Sequence, residues 1–226
     1  MFDIARSAGQ LGLMDDAEFL KAAQDPSLVR DIAPEAASLE GYLFPATYQV
    51  TRHTTAAELC RMMTNQFRKV WKSLAPTAPA HRTVTLASLV EREAAAPADR
   101  PLVASVYENR LRQGMPLQCD PTTIYAALLE QRYRGTIHQS DLANQHPYNT
   151  YQHAGLPPGP IANPGLAALE AALNPAKTDY LYFVAKADGS GGHHFSKALA
   201  SHQRAVAQYR RGLRRAKRAP ASGRAN

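Results

Sequence analysis

A proline four residues beyond a glutamate constrains one stretch of this chain more than any other feature does: Thr85-Leu-Ala-Ser-Leu-Val-Glu-Arg-Glu-Ala-Ala-Ala-Pro97. Leu86, Leu89, Val90 and Glu93 recur at i, i+3, i+4 and i+7, so on a helix a carboxylate completes the stripe that faces the core. Thr83 or Thr85 can cap the start, while Pro97 forbids continuation and pushes Ala96 out of helical geometry. The helix is therefore expected to end about a turn after Glu93, with the carboxylate near the negative end of the helix dipole. Desolvation and that dipole both disfavour the ionised form. Together they raise the pKa of Glu93 toward the range in which a carboxylic acid donates a proton at neutral pH. Glu91 lies roughly 200° further back around the helix, so it is expected to point into solvent and to form no dyad with Glu93. The competing reading places Glu93 at the edge of the stripe, paired with Arg100 or Arg110.

Charge is the next constraint, because a formal net charge of +7 invites a nucleic-acid reading. Its location argues otherwise. Residues 210–226 hold seven basic side chains and no acid, which accounts for the entire excess. The basicity reads as a solvated helix end and a loose tail over 213–226, with attraction to an anionic polymer or lipid as the alternative. No base-reading motif is present, so nucleic acid is not an expected partner. No apolar run approaches the roughly 20 residues that span a bilayer. Cys60 and Cys119 are too few and too far apart for a disulfide framework or a thiolate metal site. His193, His194 and His202 show no metal spacing, so neither metal nor cofactor is expected.

The remaining segments define an α+β chain that is mainly helical. Two short helical patterns precede Pro26 and Pro34 and read as the remnant of a small module over residues 1–34. Leu39 to Val50 reads as an extended segment whose Tyr42, Phe44 and Tyr48 either stack on a sugar or simply pack inward. Residues 54–74 form an amphipathic helix, with Cys60 on the same face as Met63 and Phe67. Arg100 to Gly114 forms another, which pairs with the Glu93 helix as a hairpin. Asp120 reads as the N-cap of a further helix with Pro121 at its first position. The stretches 147–151 and 155–165 form a Pro- and Gly-rich loop system of the kind that binds ligands. A β-hairpin joins Asp179–Ala185 to His193–Ser196, and a basic helix over 201–215 closes the chain.

Taken together, Leu39-Glu-Gly-Tyr-Leu-Phe-Pro-Ala-Thr-Tyr48, Leu86-Ala-Ser-Leu-Val-Glu-Arg-Glu93, Asn109-Arg-Leu-Arg-Gln-Gly-Met-Pro-Leu-Gln118 and Asp120-Pro-Thr-Thr-Ile-Tyr125 resemble the YceG-like family of endolytic murein transglycosylases. The likeness continues through Tyr148-Asn-Thr-Tyr151, Gly155-Leu-Pro-Pro-Gly-Pro-Ile161, Asn163-Pro-Gly165, Tyr180-Leu-Tyr-Phe-Val184 and Gly192-His193 to His202. It implies a YceG-like catalytic domain over 35–212. It also implies cleavage of the β-1,4 bond between N-acetylmuramic acid and N-acetylglucosamine in nascent glycan strands, leaving 1,6-anhydro ends and terminating elongation.

The second glutamate of the family's Val-Glu-x-Glu run falls on Glu93, the residue that helix geometry had singled out. Glu40, Ser88, Gln118, Asp120, Tyr148, Asn149 and Thr150 match family motifs and are the expected substrate-binding residues, in a cleft formed with the loops at 115–122 and 147–161. The resemblance further implies peptidoglycan strands as substrate, peptidoglycan synthases as partners, and action at the extracytoplasmic, periplasmic face of the cytoplasmic membrane. Family members begin with a membrane helix and a small LysM-like module, and this chain is expected to start partway into the latter. Cys119 stands where a small hydroxylated residue is expected. Two alternatives stay open: a water-using muramidase with Asp120 as second carboxylate, and a non-catalytic peptidoglycan-binding protein that recruits synthases.

Overall fold

A computed structural model describes residues 1–218 of the chain. Its organising element is helix α4, Ala80–Glu93. Every residue from Thr83 to Val90 is buried, so this helix is covered all round and not along one stripe. The polar residues within it meet their needs locally. Thr83 Oγ1 donates to the Pro79 carbonyl at 3.0 Å, Thr85 Oγ1 to the His81 carbonyl at 2.7 Å and Ser88 Oγ to the Thr85 carbonyl at 2.7 Å. Neither threonine is the cap expected from sequence, because the helix starts earlier, after Pro79, which carries the N-cap position. Its end matches the covalent logic more closely. Glu93 is the last helical residue and Ala94 turns extended, three residues ahead of Pro97.

Around α4 lie α5 (Arg100–Arg112) and α8 (Leu166–Leu173), which also pack on each other. The N-terminal helices α1 (Phe2–Gln10) and α2 (Asp16–Ala23) pack together, and α2 lies on α3 (Ala56–Ser73). Thr55 and Glu58 form a reciprocal capping box at the start of α3. The segment 1–34 does not keep a core of its own. Ala5, Phe19, Ala23, Val29 and Ala33 join the same apolar cluster as Leu86, Leu89 and Leu169.

Helices α6 (Asp120–Leu129) and α7 (Gln139–Leu142) complete one flank. Strands β1 (Tyr182–Ala185) and β2 (His193–Ser196) form an antiparallel pair in the register Phe183 opposite Phe195, and α9 (Leu199–Arg218) packs across both. The domain is thus α+β with its sheet reduced to one hairpin. Helix α9 runs beyond the boundary at 212 drawn from sequence, and the rest of the expected tail, 219–226, lies outside the described residues.

Packing decides one reading that the sequence left open and corrects two expectations. Tyr42 and Phe44 are core residues, Tyr42 edge-on to Phe67 at 5.2 Å, and 44–50 joins no sheet. Glu91 does not point into solvent: one of its oxygens lies 3.7 Å from the Arg100 guanidinium, and the other accepts from Gly165 N at 3.2 Å, ahead of α8. That places a negative charge at the positive end of a neighbouring helix. The Pro- and Gly-rich loop 155–165 is pinned to α4 and to the Glu40–Leu43 turn. His81 Nε2 bonds the Pro158 carbonyl at 2.9 Å, Ile161 N donates to Ser88 Oγ at 3.0 Å, and Asn163 Oδ1 accepts from Gly41 N and Leu43 N.

Candidate active site

The C-terminal end of α4 delivers Glu93 to a cavity of about 260 Å3, whose wall also includes Gln118, Asp120, Tyr151, Arg110 and His202. Desolvation is the main cause of an upward pKa shift of Glu93; Cys119 opposes it, the nearby Asp120 adds to it, and Tyr107 and His193 oppose it less. Neither arginine of the competing reading pairs with it. Arg100 faces Glu91, and Arg110 donates to the carbonyls of Leu181 (2.7 Å), Pro116 (3.2 Å) and Leu117 (2.9 Å). A partly exposed carboxyl without a cation partner, at a helix C-terminus and largely stripped of water, is disposed to hold a proton.

The segment opposite Glu93 is shaped by strain. Gln118 has φ of +51°, the left-handed region that residues with a Cβ seldom occupy, at a cost of about 1–3 kcal/mol. Its amide donates to the Thr150 carbonyl at 3.1 Å, and the next amide, of Cys119, donates to Thr150 Oγ1 at 3.0 Å. The twist leaves Gln118 exposed on the cavity and buries Cys119. Asp120 is not the cap expected from sequence: Cys119 holds that position, and the Asp120 carboxylate instead accepts from the Tyr151 hydroxyl at 2.5 Å. Burial and this bond push the Tyr151 pKa upward, so it remains a donor.

Of the eight residues expected from sequence, Glu93, Gln118 and Asp120 meet at the cavity. Thr150 and Asn149 stand behind it, fully buried. Asn149 Nδ2 donates to the carbonyls of Asp141, Leu142 and Asn144, while its Oδ1 accepts from Tyr151 N at 3.1 Å and from Thr123 Oγ1. This amide therefore fastens α7 to the segment that carries Tyr151. Asn149→Ala leaves several buried groups unpaired. It is expected to cost about 2–3 kcal/mol of stability, and to lower turnover more than it raises KM; thermal melts and steady-state kinetics check both.

Glu40, Ser88 and Tyr148 do not reach the cavity. Glu40 is buried against the Met1 ammonium and Asn163 Nδ2, Ser88 bridges α4 to Ile161, and Tyr148 packs on Tyr125 with ring centroids 5.0 Å apart. Sequence reasoning missed Arg110, Leu117, Tyr151, Phe183 and His202 as wall residues. Their motifs were visible, but nothing local showed that a helix, a strand and the last helix converge there. His202 stacks on Tyr182 at 5.2 Å, and burial followed by Arg110 lowers its pKa. His193 bonds Asp99 through both its amide (2.7 Å) and Nδ1 (2.9 Å). No cluster of His, Cys, Asp and Glu among the described residues is arranged to hold a metal.

A mostly helical domain with a polar cavity that holds Glu93, without an arginine partner, beside an Asp120 bonded to Tyr151 defines a class of protein, that of carboxyl-based sites able to run acid and base chemistry. Comparison supplies the family. Residues 2–208 match the YceG-like family, and the chain belongs to it. It is 46% identical over 177 residues to an endolytic murein transglycosylase of Bacillus subtilis (strain 168), an alignment covering 76% of this chain and 48% of the relative. It is 36% identical over 188 residues to the protein of that name from Streptococcus pneumoniae (strain D39), covering 76% of this chain and 32% of the relative. The chain thus spans about half or less of the length of these relatives. A crystal structure of a YceG-like protein from Listeria monocytogenes superposes with a TM-score of 0.72 at 35% identity, covering 89% of this chain and 71% of that one. No helix among the described residues is long and apolar enough to cross a membrane.

Proposed function

We propose that this chain is the catalytic portion of an endolytic murein transglycosylase that cuts the β-1,4 bond between N-acetylmuramic acid and N-acetylglucosamine within glycan strands. The observation that carries the reading is Glu93: a desolvated carboxyl with no cation partner, facing a cavity. Protonated Glu93 gives its proton to the glycosidic oxygen as the bond to the muramoyl anomeric carbon breaks. The resulting carboxylate takes the proton of the muramoyl C6 hydroxyl, whose oxygen closes on the same anomeric carbon. The product is a 1,6-anhydro end, no water is consumed, and Glu93 ends protonated as it began. Because the nucleophile belongs to the sugar, one carboxyl suffices.

Gln118, Asp120 and Tyr151 are the proposed sugar contacts, and Asn149 and Thr150 hold them in place. Cleavage within nascent strands would end their elongation, with peptidoglycan synthases as partners at the outer face of the cytoplasmic membrane. The N-terminal helices are read as the end of a LysM-like module docked on the catalytic core.

Mass spectrometry of peptidoglycan after incubation with the chain tests the reading. Anhydro-ended fragments support it. Reducing-ended fragments would instead make Asp120 the second carboxylate of a hydrolase, and binding without cleavage would leave a recruiting protein. A pH dependence follows as well. Glu93 must start protonated, so kcat/KM is expected to hold at acidic to neutral pH and to fall as pH rises through its raised pKa. A rate profile on soluble glycan strands checks the direction.

A further inference from the structure

We propose that Tyr107 and Cys119 act together as positioning donors for Glu93, receiving the carboxylate that forms once its proton has passed to the leaving oxygen. The identity of the reaction rests on the function proposed above; the donor pair rests on the burial of both side chains behind the cavity wall and on the orphaned Tyr107 hydroxyl, and their downward pull on the Glu93 pKa supports it. Tyr107, on α5, and Cys119, at the turn into α6, are each 1% exposed, and neither lines the cavity. Tyr107 packs edge-on against the wall residue Phe183 with ring centroids 5.9 Å apart, and Cys119 lies in the chain between the wall residues Gln118 and Asp120, so both stand behind the cavity that holds Glu93. Cys119, Glu93 and Arg110 are the groups whose charge bears on the Tyr107 hydroxyl, which is fully buried yet has no partner at ordinary hydrogen-bond distance. An orphaned buried hydroxyl is costly and seldom kept without reason.

The reason lies in the two states of Glu93. A neutral carboxyl already has one donor of its own, whereas a carboxylate only accepts and can take both the thiol and the hydroxyl. The pair is thus under-used before proton transfer and matched to the charge that develops during it, which is the condition for lowering a barrier. Burial raises the pKa of both donors, so both stay protonated. The twisted backbone at Gln118 turns Cys119 inward, and Thr150 and Thr122 fasten it, Cys119 N donating to Thr150 Oγ1 and its carbonyl accepting from Thr122 Oγ1 at 2.6 Å. A thiol at this position donates only weakly, so serine should serve at least as well and alanine should not.

The other groups whose charge reaches Glu93 are Asp120, which disfavours the carboxylate, and His193, which favours it with Asp99 behind it. Arg110, Tyr151 and His202 share the cavity wall. All of them are untouched in the variants that test the proposal. The full chain labelled with 13C at glutamate carboxyls is titrated by NMR without substrate, Glu93 being assigned by its loss in Glu93→Gln. The Glu93 midpoint is expected to move upward in Tyr107→Phe and Cys119→Ala and to stay near wild type in Cys119→Ser. On glycan strands, Tyr107→Phe is expected to lower kcat about tenfold with KM nearly unchanged, while the alkaline limb of kcat/KM shifts to higher pH. Loosened packing alone would lower activity without moving the limb or the midpoint. An unchanged midpoint in Tyr107→Phe, or Cys119→Ser moving as far as Cys119→Ala, overturns the proposal. Midpoints that move in a chain that never cuts glycan would uphold the donor pair and overturn the transglycosylase reading instead.

Discussion

Glu93→Gln is expected to lower turnover on peptidoglycan by about a thousandfold, the scale of a lost general acid and base, while substrate binding survives. The amide keeps the shape and one donor of the protonated carboxyl, so glycan strands should still enter the cavity. It cannot release a proton to the leaving oxygen or take one from the C6 hydroxyl, so both halves of the reaction fail together. Stability should move the other way. The native state holds the proton of Glu93 more tightly than the unfolded chain does, so this group lowers stability as pH rises from its unfolded pKa through the raised native one. Removing it relieves that cost, and the variant should melt at or above the wild-type temperature at neutral pH. Product analysis beside a thermal melt checks both halves. A variant that retains activity would send the catalytic role to another wall residue, with Asp120 first.

The largest loss of stability is expected from Gly41→Ala, far from the chemistry. Gly41 has φ of +92°, outside the regions open to residues with a Cβ, and an added Cβ would sit 2.4 Å from Pro160 Cγ and 2.8 Å from a Val84 methyl carbon. Neither neighbour can retreat: Val84 is fully buried on α4, and Pro160 belongs to the loop fastened by His81, Ser88 and Asn163. Backbone strain and overpacking together should cost about 4 kcal/mol, which for a domain of this size lowers Tm by about 10 °C. Calorimetry measures it. The same substitution at Gly155, where φ is +94° and no atom lies within 4 Å, should cost less because only the backbone term remains. That contrast separates steric from conformational effects.

Local chemistry made much of this protein legible in its sequence. The proline stop after Glu93, the amphipathic face of α3 and the hairpin of β1 with β2 each depend on residues close in the chain. Their physics is complete within a few turns. Glu93 stood out for the same reason, since an acid on an apolar stripe just ahead of a proline is a local anomaly.

Contacts across the chain were not legible in that way. Glu40 and Ser88 look from sequence like site residues, yet one is enclosed by Asn163 and the other bridges α4 to Ile161 more than seventy positions away. Asp120 reads as a cap until the fold brings Tyr151 to it and moves the cap to Cys119. Arg110 is an ordinary helical cation until the distant carbonyl of Leu181 joins the nearby ones of Pro116 and Leu117 on it.

By itself the sequence determined which stretches are helical, that α4 stops ahead of Pro97 and which carboxylate is out of place, because dihedral preference and apolar periodicity act over a few residues. The tertiary structure alone decided which polar groups face the cavity and which are spent on holding it. A side chain's partners are set by burial and by segments remote along the chain, so the same residue type serves as ligand, cap or strut according to what packs against it.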